Sequence, residues 1–294
     1  MASEIFHAII DGILTGGVYA LMAVGLTLIF GVLDIINIAQ GILVILGGYL
    51  SYSLSTRAHI DLFVGLLITI PVMFIIGVVI HWAFIARLRG SERTSMTLLV
   101  TYAVALIIEG ILYKFYGADN VGLSASYTQP NASFDLFGFY IGYMYVYGFI
   151  LAVLLVLAIY ALLYRTRFGR SVRATMQDEG SARLIGIEVN RVAAITFGIG
   201  VAVTAVGGMF YGATSDFNAN SGYDLISRLL AIVILGGLGS VGGALAASVF
   251  MLTVESLVDI WQPTWAVSVF YAALILVLLI RPQGVFGKKA VRSA

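Results

Sequence analysis

A chain of 294 residues that is 61% hydrophobic and 11% charged, with a mean hydropathy of +1.03, has too few polar side chains to cover a water-facing surface, so a soluble globular fold is excluded. A net charge of +1 supplies no basic field for nucleic acid, so no nucleic-acid partner is expected. Without cysteine there is no disulfide, thiolate nucleophile or cysteine-based metal site, and His7, His59 and His81 are too scattered in sequence to share ligand spacing.

The apolar segments run to twenty or more residues, the helical length for a bilayer, and lack the alternation of barrel strands. The expected fold is an all-α polytopic membrane protein: one transmembrane domain over 1–294 with about eight transmembrane helices, some broken or re-entrant. The N-terminal MASEIFHAII lacks the basic region and small-residue cleavage site of a signal peptide, so it is expected to be retained. From Ile5 the chain is apolar to about Gly31, then reads VLDIINIAQG, and is apolar again to about Ser53. Asp34, Asn37 and Gln40 recur every third residue between those runs. The interruption is either a cytoplasmic turn, which puts Met1 outside, or a break within the membrane, which permits Met1 inside.

A short polar loop, Ser55 to Asp61, precedes a span from Leu62 to about Ile85, with Pro71 inside it. ARLRGSERT, 86–94, is basic and therefore expected in the cytoplasm. The span from Ser95 to about Tyr116 carries Glu109 and Lys114. An acidic residue within a span marks a functional-site hypothesis, set against a structural one in which Glu109 is satisfied by a neighbouring helix. Gly117 to Tyr140 is a long segment on the opposite side, of a length that is usually functional or disordered, and available to a binding protein. At its end and just after it, Phe137, Phe139, Tyr140, Tyr143, Tyr145 and Tyr147 form either an aromatic belt at the interface or the lining of a ligand portal.

The span to Tyr164 leads into the longest polar run, YRTRFGRSVRATMQDEGSARLIGIEVNR, 164–191, which holds six of the sixteen Lys and Arg residues. The positive-inside rule places it in the cytoplasm. Arg165, Arg167, Arg170 and Arg173 come first, where they meet lipid headgroups. Ala174, Asp178, Ala182 and Gly186 then recur at i, i+4, which on a helix stacks small side chains on one face, with Glu179 beside them. The reading is a short docking helix; the plain alternative is a basic loop that only keeps the orientation.

A span from Val192 to about Tyr211 is dense in small residues. Ser215 to Asp224 returns to the outside. Between Asp224 and Asp259 about thirty-five residues are broken by GGLGSVGG, too few for two comfortable full spans. Two short helices meeting at Gly236 to Gly243 fit instead, as a re-entrant hairpin or a pair of short crossings. A last span, about Ala266 to Ile280, ends in RPQGVFGKKAVR. The breaks at Asp34 to Gly41 and at Gly236 to Gly243 occupy roughly corresponding places, a pattern that points to a transport path. Asn37, Gln40, Gly41, Gly237, Gly239 and Ser240 are the candidate path residues, and the competing reading is that these glycines only permit tight packing.

RFGRSVRATMQDEGSARLIGIEVNRVAAITF resembles the cytoplasmic loop of permeases from bacterial ABC importers for branched-chain and other hydrophobic amino acids. GLTLIFGVLDIINIAQG, ILGGLGSVGGALAAS and RPQGVFG extend the resemblance over most of the chain. It implies that Ala174, Asp178, Ala182, Gly186 and Ile187, matching the family's variant of its docking motif, meet an ATPase subunit. It implies as partners a second permease, most simply in a heterodimer, two cytoplasmic ATPases and a periplasmic substrate-binding protein, in the bacterial inner membrane. At the first break the family carries an Asn-Phe-Ala-His-Gly-Glu-like motif. Here Gln40 stands in place of the His and Ile42 in place of the acidic residue, so the resemblance does not carry the family's ligand role over to those two positions. No Walker motif is present, and GGLGSVGG lacks the Gly-Lys-Ser/Thr ending, so no cofactor is expected on this chain and ATP belongs to a partner. The rival class is a self-sufficient secondary transporter or channel using Asp34, Glu109 and Glu255. An intramembrane enzyme finds no Ser/His pair and no HExxH.

Overall fold

The computed structural model describes residues 2–88, 93–125, 128, 133–136 and 139–287. Expectations placed on Pro130, Phe137, Lys288, Lys289, Arg292 and part of 86–94 lie outside them, as do those on the side chains of Phe139 and Tyr140. Eleven helices account for most of the described chain: α1 (Ala2–Leu33), α2 (Gln40–Ala58), α3 (Leu62–Ala83), α4 (Arg93–Tyr116), α5 (Tyr143–Arg165), α6 (Arg167–Gln177), α7 (Glu179–Leu184), α8 (Val189–Thr214), α9 (Ser221–Gly236), α10 (Val241–Trp261) and α11 (Pro263–Ile280). A hairpin of β1 (Ser133–Leu136) and β2 (Phe139–Gly142) pairs Ser133 with Gly142 and Leu136 with Phe139.

Among the described residues, seven helices are long and apolar enough to cross a membrane: α1, α3, α4, α5, α8, α10 and α11. The protein is an all-α polytopic membrane protein. α2 and α9 fall short of that measure for physical reasons. α2 carries Gln40, Ser51, Ser53 and Ser55, and α9 has only 16 residues.

α8 and α1 form the centre; 89% and 78% of their most apolar windows are buried, against 11% for α11. Their sequences explain the difference. Small residues let backbones touch, so burial there comes from close approach, whereas α3, α4, α5 and α11 turn Leu, Ile and Phe outward as a lipid-facing surface does. At the α1–α8 crossing the Gly200 carbonyl oxygen lies 2.4 Å from where a Cβ on Gly25 would sit. α10 runs antiparallel to α1, with Gly12 against Thr253, Gly16 against Val249 and Gly31 against Gly239.

The charges divide the bundle into two ends. Arg87 closes the 3-10 turn after α3, the α6–α7 segment follows α5, and Arg281 follows α11. We call this the basic end. Gly31, two residues before the last of α1, packs on Met176 of α6 and on Gly239, so α1 runs toward the basic end and its N-terminal residues lie at the opposite one. That separates the two readings of the N-terminus left open by sequence. The chain turns at the basic end at Asp34, which is exposed with φ 53°, and then climbs back into the bundle, where α2 begins.

Gly236 to Gly243 is likewise placed. The Val285 amide donates to the Leu235 carbonyl (2.7 Å), and Gly237 packs against Gly287, so this break is a tight turn at the basic end joining α9 to α10. It is not a hairpin folded back at mid-depth. Ser240 accepts the Gly243 amide (3.1 Å) and caps α10. At the opposite end the segment after α4 is pinned to the loop after α8. Val121 and Phe217 exchange two backbone hydrogen bonds of 2.9 Å, and Asn218 donates to Asn120 (2.8 Å).

Candidate functional sites

Three regions carry polar groups that the apolar bundle does not need. The first is α6–α7. Thr166 ends α5 and caps α6 by accepting the Gly169 amide (2.9 Å), and α6 folds back so that Arg173 donates to the Leu163 carbonyl (2.6 Å) and lies over the Tyr164 ring. The expected single helical face of Ala174, Asp178, Ala182 and Gly186 is not present. Asp178 leaves the helix (φ −159°, ψ 113°) and caps α7 instead, its carboxylate accepting the Ser181 amide at 2.8 Å. The cause is the side chain: a short carboxylate bonds local amides better outside a helix than within it. Those bonds hold its pKa below the ordinary carboxylate value.

Glu179 opens α7 and pairs with Arg183 (3.2 Å). Ala182 is buried, and its carbonyl accepts the Ile187 amide (3.0 Å) while Gly186 donates to Arg183 (3.0 Å). Gly186 has φ +84°, the left-handed end that favours glycine. The most exposed side chains beside these are Leu184 (89%) and Ile185 (74%), two uncovered aliphatics on a polar segment. Sequence reasoning missed both, although LIGI in so polar a run is a visible signal.

The second region is the start of α2. Asn37 and Gln40 are fully buried, and the Asn37 amide donates to Gln40 Oε1 (2.9 Å). Asn37 Oδ1 and Gln40 Nε2 have no hydrogen-bond partner among the described residues. Gln40 lies against Gly25, and Gly41 meets the backbone of Gly222 at the start of α9. Gly237 ends the same helix fifteen residues on, about 22 Å away at 1.5 Å per residue. The two breaks therefore do not converge: Asn37, Gln40 and Gly41 lie inside the bundle, whereas Gly237, Gly239 and Ser240 lie at the basic end.

The third region brings together Glu255 and Tyr145, which the sequence singled out separately, with Arg228, which it did not. A cavity of about 660 Å³ opens between α1, α5, α8, α9, α10 and α11 toward the end opposite the basic one. Among the described residues its one lining cation is Arg228, whose Nη1 donates to both oxygens of Glu255 (2.9 and 2.7 Å) across α9 and α10. The pair is largely buried, and Arg228 also lies over the Phe270 ring. Asp224 and Asp259 stand at the rim, with Tyr19, Tyr145, Tyr211 and Tyr271 in the wall. Tyr145 therefore faces inward, as the portal reading of the aromatics has it, whereas Tyr143 and Tyr147 stack on each other (6.2 Å).

The three carboxylates of the rival transporter reading are not brought together. Asp34 is exposed at the basic end, Glu109 accepts from the Tyr223 hydroxyl (2.6 Å), and Glu255 binds Arg228. Tyr223 and Arg228 are five residues apart on α9, on faces about 140° apart. Glu109 is thus satisfied by a neighbouring helix. Among the described residues no group of three or more His, Asp or Glu side chains is placed to hold a metal.

Comparison with known proteins bears on what these regions serve. Residues 8–279 match the family described as "Branched-chain amino acid transport system / permease component". The chain is 28% identical to the high-affinity branched-chain amino acid transport system permease protein BraD of Pseudomonas aeruginosa, over 99% of both chains. It is 29% identical to the corresponding LivH protein of Escherichia coli K12, over 96% of both. It is also 23% identical to the LivM permease of that organism, over 91% of this chain and 67% of LivM. No solved structure matches. With the family matched across nearly every span, this chain belongs to the permease-component family of branched-chain amino acid transport systems.

Proposed function

We propose that this chain is the membrane-spanning permease subunit of an ATP-driven importer that moves a small hydrophobic or neutral amino acid from a periplasmic binding protein into the cytoplasm. The observation that carries the reading is the family match over 8–279, since relatives aligned from end to end are named as permeases of this transport class. The chain lacks a Walker motif, so ATP hydrolysis falls to separate ATPase subunits. Similarity to LivH and LivM alike supports a second, related permease as its partner.

In this reading the basic end faces the cytoplasm of a bacterium whose inner membrane holds the bundle, and the cavity opens toward the binding protein. The α6–α7 segment is the coupling element. Asp178, Glu179, Gly186 and Ile187 shape it, Ala174 and Ala182 anchor it to the bundle, and Leu184 and Ile185 insert into the ATPase. Asn37, Gln40 and Gly41 border the route, while Gly237, Gly239 and Ser240 form its cytoplasmic turn.

The test is reconstitution of the four-component complex in proteoliposomes, followed by ATP-dependent uptake of radiolabelled leucine, isoleucine and valine with binding protein present. Accumulation that requires both ATP and this chain is expected. Uptake by this chain alone, driven by an ion gradient without ATPase, would reject the reading.

A further inference from the structure

The polar cavity goes beyond the importer reading, on which this inference rests. The unused part of Arg228 is the starting point. Both of its hydrogen bonds leave from Nη1, so Nε and Nη2 have no acceptor among the described residues. A guanidinium paired through one nitrogen keeps a free edge, and that edge has the geometry to receive a second carboxylate in two parallel hydrogen bonds.

The acids are placed to complement it. Asp224 precedes Arg228 by four residues on α9, and Asp259 follows Glu255 by four on α10. The two helices run in opposite directions, so both acids stand one turn nearer the mouth, about 6 Å above the pair. Both are exposed, whereas Arg228 and Glu255 are largely buried. The floor thus offers one cation with unused donors and the rim offers two anions, a turn apart. An α-amino acid carries its carboxylate and ammonium on one carbon and spans that gap. Val18, Leu225, Leu252 and Val267 supply apolar wall for an uncharged side chain.

We infer that this cavity is a zwitterion-binding subsite of the permease itself, in which Arg228 receives the substrate carboxylate, Asp224 and Asp259 receive its ammonium, and Glu255 holds the guanidinium in position. A lone structural ion pair between α9 and α10 would need neither the rim acids nor a cavity with aliphatic walls.

The experiment uses the complete reconstituted importer with saturating binding protein and radiolabelled leucine as probe. The exchanged pair Arg228→Glu with Glu255→Arg keeps an ion pair across α9 and α10 but moves the cation to the other helix. The site predicts a complex that co-purifies in normal amount and loses leucine uptake about tenfold or more. Wild-type uptake by the exchanged variant would overturn it. Should the exchange prevent assembly, Arg228→Lys decides instead. It keeps the charge and the Glu255 contact but loses the planar fork, so a similar loss of maximal uptake is expected and an unchanged rate overturns the site. Asp224→Asn with Asp259→Asn tests the ammonium end, with the same expected loss and the same overturning result. A wild-type complex that carries no amino acid would reject the importer reading itself, whereas equal uptake by wild type and all variants rejects only the subsite.

Discussion

The backbone of α8 meets that of α1 at Gly200 and Gly25, where each carbonyl oxygen lies within 3 Å of the position a Cβ would take on the other. Backbone cannot swing aside as a flexible side chain can. Gly25→Ala is expected to push the two central helices apart and cost about 1–3 kcal/mol through overpacking. Gly110→Ala is the control, since a Cβ there would meet nothing within 4 Å and replaces glycine within a helix. Thermal unfolding in detergent should show a lower Tm for the first variant and an unchanged or higher one for the second.

Leu184→Asp with Ile185→Asp tests the coupling element. Both side chains are exposed in the isolated chain, so the change should alter its stability by less than about 0.5 kcal/mol. Against an ATPase surface, two new carboxylates should break association. The expected result is normal insertion with loss of ATPase co-purification and of uptake. Gly186→Trp is a poorer probe, because its left-handed φ of +84° strains any other residue before docking is considered.

The Asp178 cap gives a pH dependence with a definite sign. Its folded pKa lies below the ordinary 3.8, mainly through the Ser181 and Gly180 amides. A depressed carboxylate pKa contributes stability that is present above the unfolded value and is lost as pH falls through the folded one. Hydrogen-exchange protection of the Ser181 amide should hold steady from pH 7 to about 5 and decline below the unfolded pKa. In Asp178→Asn, which still caps but does not titrate, that decline should vanish.

What sequence reveals here follows from how far each interaction reaches. Spans and the basic end are written in runs of neighbouring residues, so Val192 to Tyr211 and the arginines after Tyr164 were both legible. The i, i+4 spacing of Ala174, Asp178, Ala182 and Gly186 misled because it assumes a continuous helix, and Asp178 prefers a capping role that spacing alone does not reveal. Arg228 was passed over because its partner is 27 residues away on another helix. Nothing within SGYDLISRLLAIVILG marks the arginine as half of a pair; only the fold brings Glu255 to face it. The two breaks looked equivalent in sequence, yet only the fold separates the buried Gln40 from a turn at Gly239.

Asn37 and Gln40 separate a path from a packing role. If their contact is structural, Asn37→Ala leaves Gln40 Oε1 buried without its donor, and assembled complex should fall with a loss of about 1–3 kcal/mol. If they border the route, uptake should fall well beyond any loss of complex, because the polar surface seen by substrate changes while Gly25 and Gly41 still hold α2 in place. The path reading predicts uptake per assembled complex reduced several-fold; a proportional fall of both would leave packing as the account.

Topology can be tested without removing any native residue, because the chain has no cysteine. Single cysteines at Ser3, Asn218 and Ser181 sample the N-terminal end, the loop after α8 and the coupling segment. α1 runs antiparallel to α10 and ends beside Gly239 and Met176, so Ser3 and Asn218 belong to one side and Ser181 to the other. With arginines gathered at the second side, the positive-inside rule predicts that side to be cytoplasmic. A membrane-impermeant maleimide applied to spheroplasts should label positions 3 and 218 and spare 181 until the cells are opened. Labelling of 181 in intact spheroplasts would reverse the orientation and with it the assignment of α6–α7 to an ATPase. Labelling of 218 but not of 3 would place the N-terminus at the basic end, against the packing of Gly12 and Gly16 on Thr253 and Val249.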